Sequence, residues 1–137
     1  MLNIDAWETK MQSQLVEDAS KIMKEQPEMI SGVEELAERL GVSKSHLIRA
    51  FKSKYDVSPG KFLEHEKINR AKLILCNSDY NIETTAYMCG YSCANYFCKV
   101  FKKAVGQTPA VYRKKQASYV DETTRKKITE IEGRFHV

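Results

Sequence analysis

Apolar residues return every three or four positions along most of this chain, the period of a helix with one buried face. Trp7, Met11, Leu15, Ala19 and Ile22 form one such stripe, and Pro27 ends the helix that carries it. Trp7 reads as a core or edge aromatic rather than a ligand contact. Ser31-Gly32-Val33-Glu34 fits a capping box, and Val33, Leu36, Ala37 and Leu40 give the next helix its inner face. Gly41 supplies a turn, after which Ser43 can cap a helix with Leu47, Ala50 and Phe51 inward. Ser58-Pro59 opens a longer helix, rich in Leu and Ile, expected to run to about Cys76. The polar run Asn77-Ser78-Asp79-Tyr80-Asn81 then reads as a turn.

Beyond that turn the pattern starts again. Val33, Ala37, Gly41 and Ser43 recur 49 positions later as Ile82, Ala86, Gly90 and Ser92. Leu47, Phe51, Lys52, Ser58, Pro59 and Phe62 recur 50 later as Phe97, Phe101, Lys102, Thr108, Pro109 and Tyr112. The second turn is therefore one residue longer. Two short helices around a Gly-containing turn are the helix-turn-helix signature, and here it occurs twice. The expected class is all-α. The expected organisation is an N-terminal helix with a first helix-turn-helix subdomain (1–57), a linking helix (58–76), a second subdomain (77–116) and a C-terminal tail (117–137). The tail loses the apolar rhythm, and its run Arg125-Lys126-Lys127 reads as solvated.

Composition narrows the function. Of 137 residues, 42% are hydrophobic and 29% charged, enough to build a core and to exclude wholesale disorder. Three prolines and six glycines are too few for a turn-rich β protein. No uncharged apolar run approaches the ~20 residues of a membrane span. The start Met1-Leu2-Asn3-Ile4-Asp5 has no basic or apolar signal region, so a cytoplasmic chain with reduced thiols is expected. The net charge of +4 hides a division: residues 1–40 hold four basic and nine acidic side chains, and 41–137 hold eighteen and nine. The basic excess of the longer part points to a polyanion partner. Cys76, Cys89, Cys93 and Cys98 include no C-x-x-C pair, so neither metal nor cofactor is expected.

At 100° per residue, the face opposite Leu47 and Phe51 carries Ser45, Ile48, Arg49 and Lys52, and the face opposite Phe97 and Phe101 carries Asn95, Cys98, Lys99 and Lys102. The second helix of such a motif offers this outer face to a DNA major groove. Ser45, Ile48, Arg49, Asn95, Cys98 and Lys99 are the candidate base contacts. Arg49 can donate twice to guanine, Asn95 can pair with adenine, and Ile48 and Cys98 can meet a thymine methyl. Lys99 is a flexible point charge that also suits phosphate. Lys44, Lys52, Lys102 and Thr108 are the candidate phosphate contacts. The plainer alternatives stay open at this point: a solvated Arg49, and an Asn95 bonded to its own backbone. His46 and Tyr96 read as half-buried and His65 as a surface residue, with no catalytic partner nearby in sequence.

The chain resembles the AraC/XylS family of bacterial transcription regulators. The likeness rests on Val33-Glu34-Glu35-Leu36-Ala37-Glu38-Arg39-Leu40-Gly41-Val42-Ser43-Lys44-Ser45-His46-Leu47, on Arg49-Ala50-Phe51-Lys52 and on Ser58-Pro59. It continues in Ala86, Gly90-Tyr91-Ser92, Tyr96-Phe97, Val100-Phe101-Lys102-Lys103, Gly106-Gln107-Thr108-Pro109 and Tyr112-Arg113. The resemblance implies seven helices in two homeodomain-like subdomains, with recognition helices at about 44–54 and 93–103. It implies that these enter successive major grooves of double-stranded DNA, ~34 Å apart. It also implies transcription activation through RNA polymerase, by a protein that can act as a monomer. Cys98, Thr85 and Cys89 depart from the family pattern, so either a looser second subdomain or a weaker base readout there is expected. Family members usually carry a sensing or dimerising domain as well. Neither end of this sequence is long enough for one, so a stand-alone regulator and the DNA-binding part of a longer one are both open. Two other functions compete: a helical module whose basic face meets an acidic protein, and cysteine chemistry, as a redox switch or an alkyl-accepting repair enzyme.

Overall fold

The structure, a computed structural model, describes residues 4–116 and 122–134, with side chains from 8 to 116 and from 126 to 134. Among the described residues the regular structure is helical: α1 Ile4–Glu25, α2 Val33–Leu40, α3 Lys44–Tyr55, α4 Pro59–Asn77, α5 Ile82–Met88, α6 Ala94–Val105, α7 Pro109–Lys115 and α8 Glu122–Gly133. A 3₁₀ turn at Pro27–Met29 follows α1. The chain divides into two compact units inside α4, between Glu66 and Lys67. Each unit has its own core. Val16, Ala19, Met23, Leu36, Leu47, Phe51 and Leu63 build the first. Ile68, Ala71, Ile74, Leu75, Ala86, Phe97, Phe101 and Ile131 build the second. The linking helix thus has no core of its own, because its apolar residues are shared between the two.

Local chemistry sets the repeat. Gly41 and Gly90 adopt left-handed φ of 71° and 90°, a conformation that costs a side-chain-bearing residue about 1–2 kcal/mol. The amides after them, Val42 and Tyr91, donate to Ala37 and Ala86 carbonyls at 3.0 and 2.9 Å, the same bond 49 residues apart. Ser58 and Thr108 accept the Lys61 and Val111 amides, again in register by 50. The structure puts the extra residue of the second turn at Ser92, between Tyr91 and the cap. Cys93, the counterpart of Ser43, takes the cap position of α6 without a side-chain bond, whereas Ser43 caps α3 by accepting the His46 amide. The expected capping box is displaced by one residue. Gly32 precedes α2, and Glu35 rather than Glu34 reaches back, accepting from both the Ser31 hydroxyl (2.6 Å) and its amide (2.8 Å). Those two bonds hold the Glu35 carboxyl below its ordinary pKa.

Two expectations need correction. The stripe on α1 is not covered along its length: the buried residues are Val16, Ala19, Ser20 and Met23, while Met11 is 55% exposed. The Trp7 side chain lies outside the described residues. The supposed tail contains α8, whose Ile128 and Ile131 are buried, the latter fully and in the second core. Tyr80 also meets Glu132 of this helix, and burial followed by that carboxylate pushes the Tyr80 hydroxyl up. Two isoleucines among charged neighbours were too sparse a signal to separate a docked helix from a tail. Residues 117–121 and 135–137 of the expected tail lie outside the described residues. Ile131→Ala is expected to destabilise the chain by about 2–5 kcal/mol in urea unfolding. A solvated tail would give less than about 0.5 kcal/mol.

Candidate nucleic-acid interface

The candidate interface consists of the outer faces of α3 and α6. Each helix turns Leu47, Ala50 and Phe51, or Phe97, Val100 and Phe101, into its own core. Exposure then repeats residue for residue at an offset of 50, from Ser45 to Gly60 and from Asn95 to Ala110, with one difference, at His46 and Tyr96. The positions that helical periodicity places outward are exposed or half-buried. Lys44, Ser45, Arg49 and Lys52 on α3 are exposed, with Ile48 half-buried beside them. On α6, Asn95, Lys99 and Lys102 are exposed and Cys98 is half-buried. Thr108, the cap of α7, is half-buried, and its hydroxyl accepts the Val111 amide at 3.3 Å while keeping its proton to donate.

The charges on these faces are available. Arg49, Lys52, Lys99 and Lys102 form no ion pair among the described residues. Lys44 lies 3.7 Å from Glu34, but both side chains are exposed, so the pair is weak.

Two features were missed from sequence. Gln12 of α1 lines a shallow groove together with His46, Arg49, Ala50 and Ser53. Nothing local pairs positions 12 and 49. Tyr96, expected half-buried like its counterpart His46, is 59% exposed. The place beside Phe97 is taken by Tyr91, whose ring lies 5.2 Å from Phe97 and 6.2 Å from Tyr96. His46 is half-buried and His65 exposed, as the sequence suggests.

The four thiols differ in access: Cys93 is exposed, Cys76 and Cys98 are half-buried and Cys89 is buried. Cys89 is fully buried, and its pKa is pushed up to about 12 by burial, which outweighs the opposing charges of Arg70 and Lys67. Burial raises Cys98 as well. Cys89 is therefore protonated at neutral pH and a poor nucleophile. Alkylation by iodoacetamide is therefore expected to modify exposed Cys93 first and Cys89 only on unfolding, read by mass spectrometry of peptides. Cys93→Ser is expected to remove the fast thiol and, by capping α6, to add about 0.5–1 kcal/mol of stability.

Comparison with known proteins agrees with this geometry. A family profile described as a helix-turn-helix domain matches residues 36–115. A helix-turn-helix transcriptional regulator of Haemophilus influenzae, itself uncharacterized, is 34% identical over 90 residues, covering 66% of this chain and 30% of that protein. The C-terminal domain of AraT, a response regulator from Geobacillus stearothermophilus, superposes with a TM-score of 0.71 at 28% identity over 79% of this chain and 92% of that one. The DNA-binding domain of the global transcriptional factor AdpA, solved with a target DNA, gives 0.60 at 28% identity over 74% of this chain and 88% of that one. The chain spans about a third or less of the length of the curated relatives it matches.

Proposed function

The chain belongs to the AraC-type helix-turn-helix family, and from that premise we propose that it is a sequence-specific double-stranded DNA-binding regulator of transcription. In this reading α3 and α6 each enter a major groove. Ser45, Ile48, Arg49, Asn95, Cys98 and Lys99 meet base edges, and Lys44, Lys52, Lys102 and Thr108 meet phosphates. The observation that carries it is the doubled exposure pattern: two outer faces, in register by 50, present Arg49, Lys52, Lys99 and Lys102, in no ion pair among the described residues, beside small polar and apolar groups. That combination suits a groove, where phosphate contacts position the protein and short side chains touch bases. Activation through RNA polymerase follows from the family likeness alone.

Selection of bound duplexes from a random pool tests the reading. Two half-motifs, one for each unit, are expected. Recovery of unenriched sequence would refute it. The slope of log affinity against log salt separates DNA from an acidic protein partner, since each contacted phosphate adds about 0.9 to the slope. Lys102→Ala is expected to weaken preferred and random duplexes alike and to lower that slope by about 1. A loss confined to the preferred duplex would move Lys102 into the base-reading group.

A further inference from the structure

Glu8, Met11, Leu15 and Asp18 follow one another along α1 at spacings of three, four and three residues, so their side chains stand in line on one face. The order along that line is acid, apolar, apolar, acid. Met11 is largely exposed and Leu15 half-buried. Leu40, at the end of α2, and Val42, in the turn before α3, lie across from them and complete a groove with an apolar floor. Gln14 donates to the Asp18 carboxylate at 2.9 Å and steadies it. Among the described residues, no lysine or arginine lines this groove. Its two carboxylates repel phosphate, so it is no part of the DNA interface, although His46 borders both it and the Arg49 groove.

We propose that this groove docks a basic amphipathic helix of a protein partner. Charge complementarity selects the occupant. An apolar floor with carboxylates at both ends fits a helix whose own stripe reads cation, apolar, apolar, cation, laid along α1. Glu8 and Asp18 are ten residues apart, ~15 Å along a helix at 1.5 Å per residue. The partner's cations therefore stand about ten residues apart, over three turns. Met11, flexible and polarizable, adapts to the apolar residues between them. The exposed carboxylates choose the partner's charge more than they add affinity.

The proposal does not depend on DNA binding, and its test is run without DNA. The probe is a synthetic 18-residue Ala/Leu helix with lysines ten positions apart flanking its leucine stripe. The control carries glutamates in place of the lysines. Both are titrated into the full chain and followed by methyl NMR. The lysine peptide is expected to shift the Met11, Leu15, Leu40 and Val42 methyls saturably, and the glutamate peptide to bind at least tenfold more weakly. The double substitution Glu8→Gln and Asp18→Asn is expected to weaken the lysine peptide about tenfold while leaving the free methyl spectrum and the thermal midpoint unchanged, since both side chains are exposed. Three results would overturn the proposal: shifts that do not saturate or that fall outside the groove, equal binding of the two peptides, and concentration-dependent shifts of the same methyls without peptide, which would make a second copy of the chain the occupant.

Discussion

Arg49→Ala is expected to cost about 1–3 kcal/mol of binding at the preferred duplex, roughly 5- to 150-fold in Kd, and to relax discrimination at one base pair. The size of the effect follows from the group removed. Arg49 is exposed on the outer face of α3 and engaged in no ion pair among the described residues, so its planar guanidinium is available to both guanine acceptors at once. Stability should stay within about 0.5 kcal/mol of the parent, because no core contact is lost. Arg49→Lys should recover little of the discrimination, since an ammonium offers a point charge instead of a fork. The measurement is a fluorescence titration of preferred and scrambled duplexes at one salt concentration. Equal losses on the two would show that Arg49 meets phosphate and reads no base.

Phe101→Ala is expected to lower stability by about 3–5 kcal/mol, a large share of the 5–15 kcal/mol that holds a typical domain together. Phe101 is fully buried, 5.8 Å from the Phe97 ring and 5.5 Å from Tyr112 at an interplanar angle of 72°. Phe51 is its twin in the first unit, fully buried and 5.2 Å from Phe62 at 71°. In both units an aromatic of the recognition helix meets, edge to face, an aromatic of the helix that follows it. That arrangement adds about 0.5–1.5 kcal/mol beyond burial. It also fixes the angle at which the outer face is presented. Phe51→Ala should therefore cost about as much as Phe101→Ala in urea unfolding. A loss below about 1 kcal/mol in either would mean that the surrounding core refills the space and that the ring does not set the packing.

Much of the fold was legible because the signals are local. Caps at Ser43 and Thr108, left-handed glycines at 41 and 90 and the 3.6-residue period each act over a few neighbouring residues, and all lie where the sequence places them. The outer face was legible for the same reason: once Leu47 and Phe51 point inward, helical geometry leaves Ser45, Arg49 and Lys52 outside. What escaped notice depends on distant partners. Gln12 and Arg49 line one groove only because α1 packs on α3. Tyr96 is exposed while Tyr91, from the turn before α6, packs on Phe97. Ile131 is core because the second unit has room for α8.

The sequence by itself determined that a helix, a turn and a second helix are made twice, and which side chains each copy turns outward. Turn and cap chemistry is settled within a few bonds along the chain. Only the tertiary structure decided which apolar positions are covered: Ile131 taken into a core, Met11 left on a groove between two carboxylates. Burial is a property of the neighbours that arrive in space, and residues far apart in sequence supply them.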